Sequence, residues 1–254
     1  MTAPRVQLLL LAKAPVPGRV KTRLCPPWTP AQAADLAAAA IADTVEVLAA
    51  TPAVARTLVA DGPLPAPPGW GRVEQRGAGL GERLAAAYAD TARPGVATLL
   101  VGMDTPQLGV ADLVAAAAGL AAADAVLGPA HDGGWWTLAL RDPSAAAVLP
   151  EVPMSTSDTF ARTRAALAGR GLTVATTATL RDVDTAADAY AAAAARPGTR
   201  FARALAEIRA QSEARLRSET RAPSEVRAPS DVPAQSGART QSEVRALSEV
   251  RAGR

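Results

Sequence analysis

The sequence has 254 residues, 49% of them hydrophobic, enough for a sizeable core in one main domain, and with 3% aromatic residues and no basic stripe interleaved with them it offers nucleic acid no stacking platform. The net charge of +3 belongs to one end: residues 1–208 carry as many acids as bases, whereas residues 209–254 hold nine Arg against six acids. No apolar run reaches the length of a membrane span, the early one makes a poor signal peptide because basic residues follow it, and the lone Cys25 forms no internal disulfide, so a cytoplasmic protein with an inert thiol is expected.

Residues 6–12 are almost wholly apolar, as in a strand buried on both faces of a parallel sheet. A loop with the sequence KAPVPGRVKTRL begins at Lys13, and Thr29, Pro30 and Gln32 then supply a helix cap, a first-turn proline and a capping-box partner for a helix reaching Ala50. Further strands are expected at 56–60, 73–75, 96–101, 125–128 and 174–177, with an antiparallel one at 135–140. Helices are expected at 81–91, 112–123 and 186–195, and another, capped by Ser155 with Asp158, ending near Gly169. Residues 62–71 hold too many prolines for a regular element. Strands alternating with helices predict an α/β fold with a mostly parallel sheet, whose ligands bind beyond the carboxyl ends of the strands. The Lys13 loop and Asp104 would then meet at one rim.

From Ser212 a serine recurs every six residues, in units such as SETRAP and SEVRAL. These units bring too little apolar surface to offset the entropy of ordering them, so residues 209–254 are expected to be a disordered tail and residues 1–208 the folded domain.

The chemistry concentrates in a few places. Lys13 and Lys21 are the two lysines of a chain that otherwise writes Arg, and both lie in one loop with Gly18 and Arg23. Gly18 permits close backbone approach, and Lys21 and Arg23 suit phosphate. The loop is neither a Walker loop nor a dinucleotide fingerprint. Asp132-Gly133-Gly134 sets a carboxylate on a flexible backbone before Trp135 and Trp136, which suits an acceptor pocket with an apolar wall; Asp132 would orient an acceptor hydroxyl or serve as its base. His131, the sole histidine, is read as a loop residue.

Lys13-Ala14-Pro15 with Gly18, Lys21, Thr22 and Arg23, followed in order by GLGERL, GMDTP, HDGGWW and DVDT, resemble a bacterial family of GT-A-fold transferases. That family is associated with radical-enzyme gene neighbourhoods and often described as arsenosugar-biosynthesis glycosyltransferases. More distantly the chain resembles the phospholactate guanylyltransferases, through the Lys-Thr-Arg loop. The resemblance covers roughly residues 5–208 and implies a GT-A-like sheet, a nucleotide-diphospho-sugar donor and a small-molecule acceptor. It also implies a metal-binding carboxylate at Asp104 and a base-end pocket lined by Gln75, Gly79 and Gly81. Mg²⁺ or Mn²⁺ suits such a site, because both take oxygen ligands from one or two carboxylates plus substrate phosphates. Asp182 and Asp184 lie two apart and share a face if extended; Asp184 is preferred as the second metal carboxylate, with Asp188 a helix-face charge. Glycosyl transfer is therefore the expected activity. Nucleotidyl transfer from an NTP to a phosphorylated small molecule is the alternative, favoured by a single Asp104-Thr105-Pro106 in place of an Asp-x-Asp triplet. A catalytically silent nucleotide-binding protein is a third reading.

Overall fold

A computed structural model describes residues 5–221. Seven strands, β1 (Val6–Lys13), β2 (Ala55–Asp61), β3 (Gly71–Glu74), β4 (Ala97–Gly102), β5 (Ala125–Pro129), β6 (Trp135–Leu140) and β7 (Val174–Thr176), form one sheet in the order β3-β2-β1-β4-β6-β5-β7. All neighbours run parallel except β6, which lies antiparallel between β4 and β5, as expected for 135–140. Helices α1 (Pro30–Ala50), α2 (Leu80–Thr91), α3 (Val110–Gly119), α4 (Thr159–Gly169) and α5 (Ala186–Ala195) cover the two faces.

The burial of β1 explains its apolar run. Leu8, Leu10 and Ala12 pack with Ala37 and Ile41 of α1 and with Leu113 and Ala116 of α3, whereas Leu9 and its partly buried neighbour Leu11 pack with Leu84 and Tyr88 of α2. Alternate side chains point to opposite faces, so a central strand of a three-layer fold has no solvent side to make polar. The α1 start is the capping box read from sequence: the Thr29 hydroxyl accepts from the Gln32 amide at 3.2 Å and the Gln32 side chain accepts from the Thr29 amide at 2.9 Å.

Three features differ from the sequence reading. A 3-10 segment, Pro143–Glu151, follows β6 and packs under α2. The helix expected to be capped by Ser155 begins only at Thr159; its Phe160 amide donates to the Gly133 carbonyl at 2.9 Å, a cap brought from a distant turn. Third, α6 (Arg200–Arg221) carries the chain thirteen residues past the expected boundary at Ile208. Phe201, Leu205 and Ile208 bury one stripe of it with Leu36 and Ala40 of α1. Its next turns are held by exposed pairs four residues apart, such as Arg209 with Glu213 at 2.8 Å. The rest of the expected tail, 222–254, lies outside the described residues. Among the described residues no helix is long and apolar enough to cross a membrane.

The start of α6 is held by α1. Buried Asp43 accepts from the Arg200 amide at 2.9 Å and from the Phe201 amide at 2.8 Å, satisfying two donors that a helix N-terminus leaves open. Asp43→Ala is therefore expected to lower stability by about 1–3 kcal/mol in urea denaturation, the cost of orphaned buried donors; an unchanged midpoint would show that α6 is held by its apolar stripe alone.

Candidate functional site

Chain order places the site. From β1 the sheet grows one way through β2 and β3 and the other way through β4, so the loops after β1 and β4 diverge and leave a crevice at their carboxyl ends. The β1–β4 pairing ends at Leu11 with Gly102, and just beyond it the Lys13 amide donates to the Met103 sulfur at 3.2 Å. The basic loop and Asp104 are thereby set side by side.

Within the loop Gly18 turns at φ 74° with open space where a side chain would stand. Lys21 also adopts a left-handed conformation, at φ 48°, uncommon for a residue with a Cβ. A 3-10 turn, Thr22–Leu24, follows, and fully buried Leu24 anchors it. The Lys21 ammonium, largely shielded, sits 2.6 Å from Asp104 Oδ1 and 3.6 Å from Asp184 Oδ1, and donates to the Val183 carbonyl. Arg23 reaches Asp184 Oδ2 at 3.1 Å. Burial works against the Lys21 charge, but Asp104, by charge and hydrogen bond, with Asp184 and Asp182 behind it, outweighs this and holds the pKa above the ordinary lysine value.

The strip carrying Asp182 and Asp184 is stitched to the end of β4. The Val183 amide donates to the Asp104 carbonyl at 2.9 Å, and the Thr105 hydroxyl donates to Asp182 Oδ1 at 2.8 Å. Val183 is buried between the two carboxylates, which both face one cavity, the arrangement expected of an extended strip. Asp182 is pushed up to about 6, chiefly by burial, with Asp104 and Asp132 adding to the shift and the Thr105 hydrogen bond and Lys21 opposing it. Asp188 is not a free face charge; it completes the α5 capping box with Thr185 and pairs with Arg181 at 3.0 Å.

Two cavities meet here. A basic chamber of about 270 Å³ is lined by Lys13, Arg19, Lys21 and Arg23 with Asp104 and Asp184. An aromatic chamber of about 290 Å³ contains Asp132, Gly134, Trp135, Trp136, Thr105 and Asp182. Arg23, Asp104 and Asp184 line both. The turn that supplies Asp132 depends on glycine: Gly133 sits at φ 89°, and a Cβ there would fall 1.9 Å from the Ser157 carbonyl oxygen. Asp132 closes the turn by accepting from the Gly134 amide at 2.8 Å. Gly128 leaves room for the Trp136 ring, 2.5 Å from where its Cβ would be.

Of the expected base-end residues, Gln75, Gly79 and Gly81 line neither chamber, although Leu80 between the two glycines lines the aromatic one. The Gln75 side-chain amide donates to the Ala12 and Val59 carbonyls at 3.0 and 3.1 Å, tying β1 to β2. Gly81 lies against the 3-10 segment, where a Cβ would meet the Leu149 carbonyl at 2.3 Å, so packing alone accounts for the glycine. His131 is exposed and lines neither chamber. Sequence reasoning singled out neither Arg19 nor Thr105, and it ranked Asp182 below Asp184; the DVDT spacing was the available signal for Asp182.

Among the described residues no group of three or more His, Cys, Asp or Glu side chains is placed to hold a metal ion. Asp104 and Asp184 nevertheless fit a divalent ion, since both turn half-exposed carboxylates on one cation, now the Lys21 ammonium. The remaining ligands would be water and phosphate oxygens.

A family model described as "Uncharacterized protein conserved in bacteria (DUF2064)" matches residues 33–156, a span that includes Asp104 and Asp132. A solved structure from Desulfovibrio desulfuricans G20, named "putative nucleotide-diphospho-sugar transferase", is 26% identical with a TM-score of 0.72 and covers 84% of this chain and 97% of its own. The 4-diphosphocytidyl-2C-methyl-D-erythritol synthase of Anaerococcus prevotii DSM 20548, at 11% identity and a TM-score of 0.50, covers 76% and 98% and shares the fold. No curated protein matches the sequence.

Two outcomes follow from this geometry. Gly133→Ala should cost about 1–3 kcal/mol from the left-handed backbone alone and more from the clash with Ser157; a Tm equal to wild type would show that the turn tolerates a side chain there. The Asp182 carboxyl, raised on folding, holds its proton in the folded chain at pH values where the unfolded chain has released it. It therefore costs stability above about pH 6 and none below the ordinary carboxylate value. Asp182→Asn should add about 1–3 kcal/mol at pH 7.5 and little at pH 4; an equal gain at both would contradict the assignment.

Proposed function

We propose that the chain is a transferase acting on a nucleotide-linked substrate, and that it moves a sugar from a nucleotide-diphospho-sugar to a small-molecule acceptor. The observation carrying this reading is that a basic chamber and an aromatic, carboxylate-bearing chamber share one wall, made by Asp104, Asp184 and Arg23, at the divergence of β1 and β4. The diphosphate lies against Lys13, Lys21 and Arg23, and the acceptor lies against Trp135 with its hydroxyl at Asp132. The likeness to the Desulfovibrio protein and the motif order of the sequence support the sugar donor.

Asp104 and Asp184 would hold Mg²⁺ or Mn²⁺, which when bound neutralises the departing diphosphate. The chain's own groups do the rest. Lys21 leaves the carboxylates for the phosphates as they arrive, a compact ammonium suited to phosphate. Asp132 takes the acceptor proton while the acceptor oxygen bonds to the anomeric carbon; the bond from that carbon to the diphosphate breaks, and its electron pair leaves with the nucleoside diphosphate. The expected base-end residues Gln75, Gly79 and Gly81 remain candidates for a base that extends past the basic chamber. Nucleotidyl transfer from an NTP is the second reading, favoured by the lone Asp104 where a sugar transferase often carries an Asp-x-Asp triplet.

Asp104→Asn should abolish metal-stimulated turnover of nucleotide sugars with little change in Tm, and Lys21→Ala should weaken binding of a nucleoside diphosphate far more than of the nucleoside. Turnover of NTPs with pyrophosphate release, and none of nucleotide sugars, would decide for the second reading. No turnover of either class with Mg²⁺ or Mn²⁺ would leave a binding protein. Equal loss of diphosphate and nucleoside binding in Lys21→Ala would remove the loop from phosphate recognition.

A further inference from the structure

Among the described residues most side-chain donors of the aromatic chamber are spent on the protein, the Ser155 hydroxyl and the outer N–H groups of Arg23 excepted. The Trp135 indole N–H donates to the Thr163 hydroxyl at 3.1 Å and that of Trp136 to the Ala178 carbonyl at 2.9 Å. The Thr105 hydroxyl donates to Asp182 and the Thr159 hydroxyl to the Pro153 carbonyl at 3.0 Å. Acceptors remain. Asp132 engages Gly134 through Oδ1 and Asp182 engages Thr105 through Oδ1, so each has a second oxygen to offer. Leu11, Leu80, Leu84, Leu100 and Met154 complete an apolar wall beside Trp135.

Charge follows the same pattern. Among the described residues Arg23 is the one cationic side chain lining the chamber; it stands on the shared rim and is paired with Asp184. A divalent ion on Asp104 and Asp184 would balance those two carboxylates and leave Asp132 and Asp182 facing the acceptor. A phosphate or carboxylate placed there would meet two like charges with only the Ser155 hydroxyl and the rim guanidinium of Arg23 to receive it, whereas a hydroxyl or ammonium would find acceptors already aimed.

We propose that the aromatic chamber selects an acceptor with an apolar body and a hydrogen-donating head, a neutral alcohol or a cationic amine, and rejects phosphate esters and carboxylates. This names the acceptor class for the transferase reading and rests on it. It also sets the chain apart from enzymes that take a phosphorylated acceptor, whose chamber would need cations where this one has Asp132 and Asp182.

The test uses the full chain at pH 7.5 with Mg²⁺ and four probes of one shape: phenethylamine, 2-phenylethanol, phenylacetate and phenyl phosphate, titrated by calorimetry. The amine and the alcohol are expected to bind at least about tenfold tighter than either anion, and the variant carrying both Asp132→Asn and Asp182→Asn to narrow that gap to under about threefold, with Tm confirming that it folds. An anion binding wild type as tightly as the amine, a failure of both amine and alcohol to bind, or an unchanged gap in the variant would overturn the proposal. UDP and GDP titrated separately report the basic chamber; their failure to bind would sink the transferase reading, while the ranking of the four probes stands or falls on its own.

Discussion

A cation held between two carboxylates at the mouth of a diverging sheet is the interaction on which the site depends. Lys21 reaches Asp104 and Asp184 from a loop after β1, Asp104 comes from the loop after β4, and Asp184 from a strip that returns beside β5 through the pairing of Ala130 with Leu180. None of the three is near another in sequence. Removing the ammonium would leave two carboxylates facing each other in a partly shielded wall, so this arrangement calls for a cation at all times. In the unliganded chain Lys21 supplies it. On the proposed reading, Asp104 and Asp184 would hold a divalent ion and Lys21 would turn to the phosphates of a diphosphate, so that neither charge is stranded.

The rest of the fold serves that mouth. Burial of β1 on both faces fixes where its loop emerges, and the β1–β4 pairing brings the end of β1 to Met103, whose sulfur accepts from the Lys13 amide. The α4 N-terminus is completed by the carbonyl of Gly133, so the turn that presents Asp132 and the helix behind it stand or fall together. Trp136 occupies the space left by Gly128 and makes the aromatic wall a continuation of the core.

Much of this was legible in the sequence. The apolar run of β1, the capping box of α1 and the turn signals around β4 and β6 are local, and local chemistry set those boundaries to within a few residues, whereas the α5 capping box of Thr185 and Asp188 was missed. Lys13 and Lys21 stood out as the two lysines of one loop, Asp104 as a carboxylate at a strand end and Asp132 as one before a glycine pair, and all four line the two adjoining cavities. What could not be read was set by contacts between distant segments. The start of α4 depends on Gly133, and the glycine at position 81 answers to Leu149, across a 3-10 segment that has no periodic signal. No helix was expected over the stripe of Phe201, Leu205 and Ile208, which takes its meaning from α1, and beyond it the helix continues on exposed ion pairs in a sequence like the polar repeats that follow. The weight of Asp182 came from burial and from Thr105, neither of which spacing reveals.

The most direct measurement is anomalous diffraction from crystals soaked with Mn²⁺ and a nucleoside diphosphate. The account predicts one manganese peak between Asp104 and Asp184, with the diphosphate against Lys21 and Arg23 and the Lys21 ammonium turned from the carboxylates toward the phosphates. Manganese elsewhere, or a diphosphate seated against Trp135 with Lys21 still on Asp104, would contradict it.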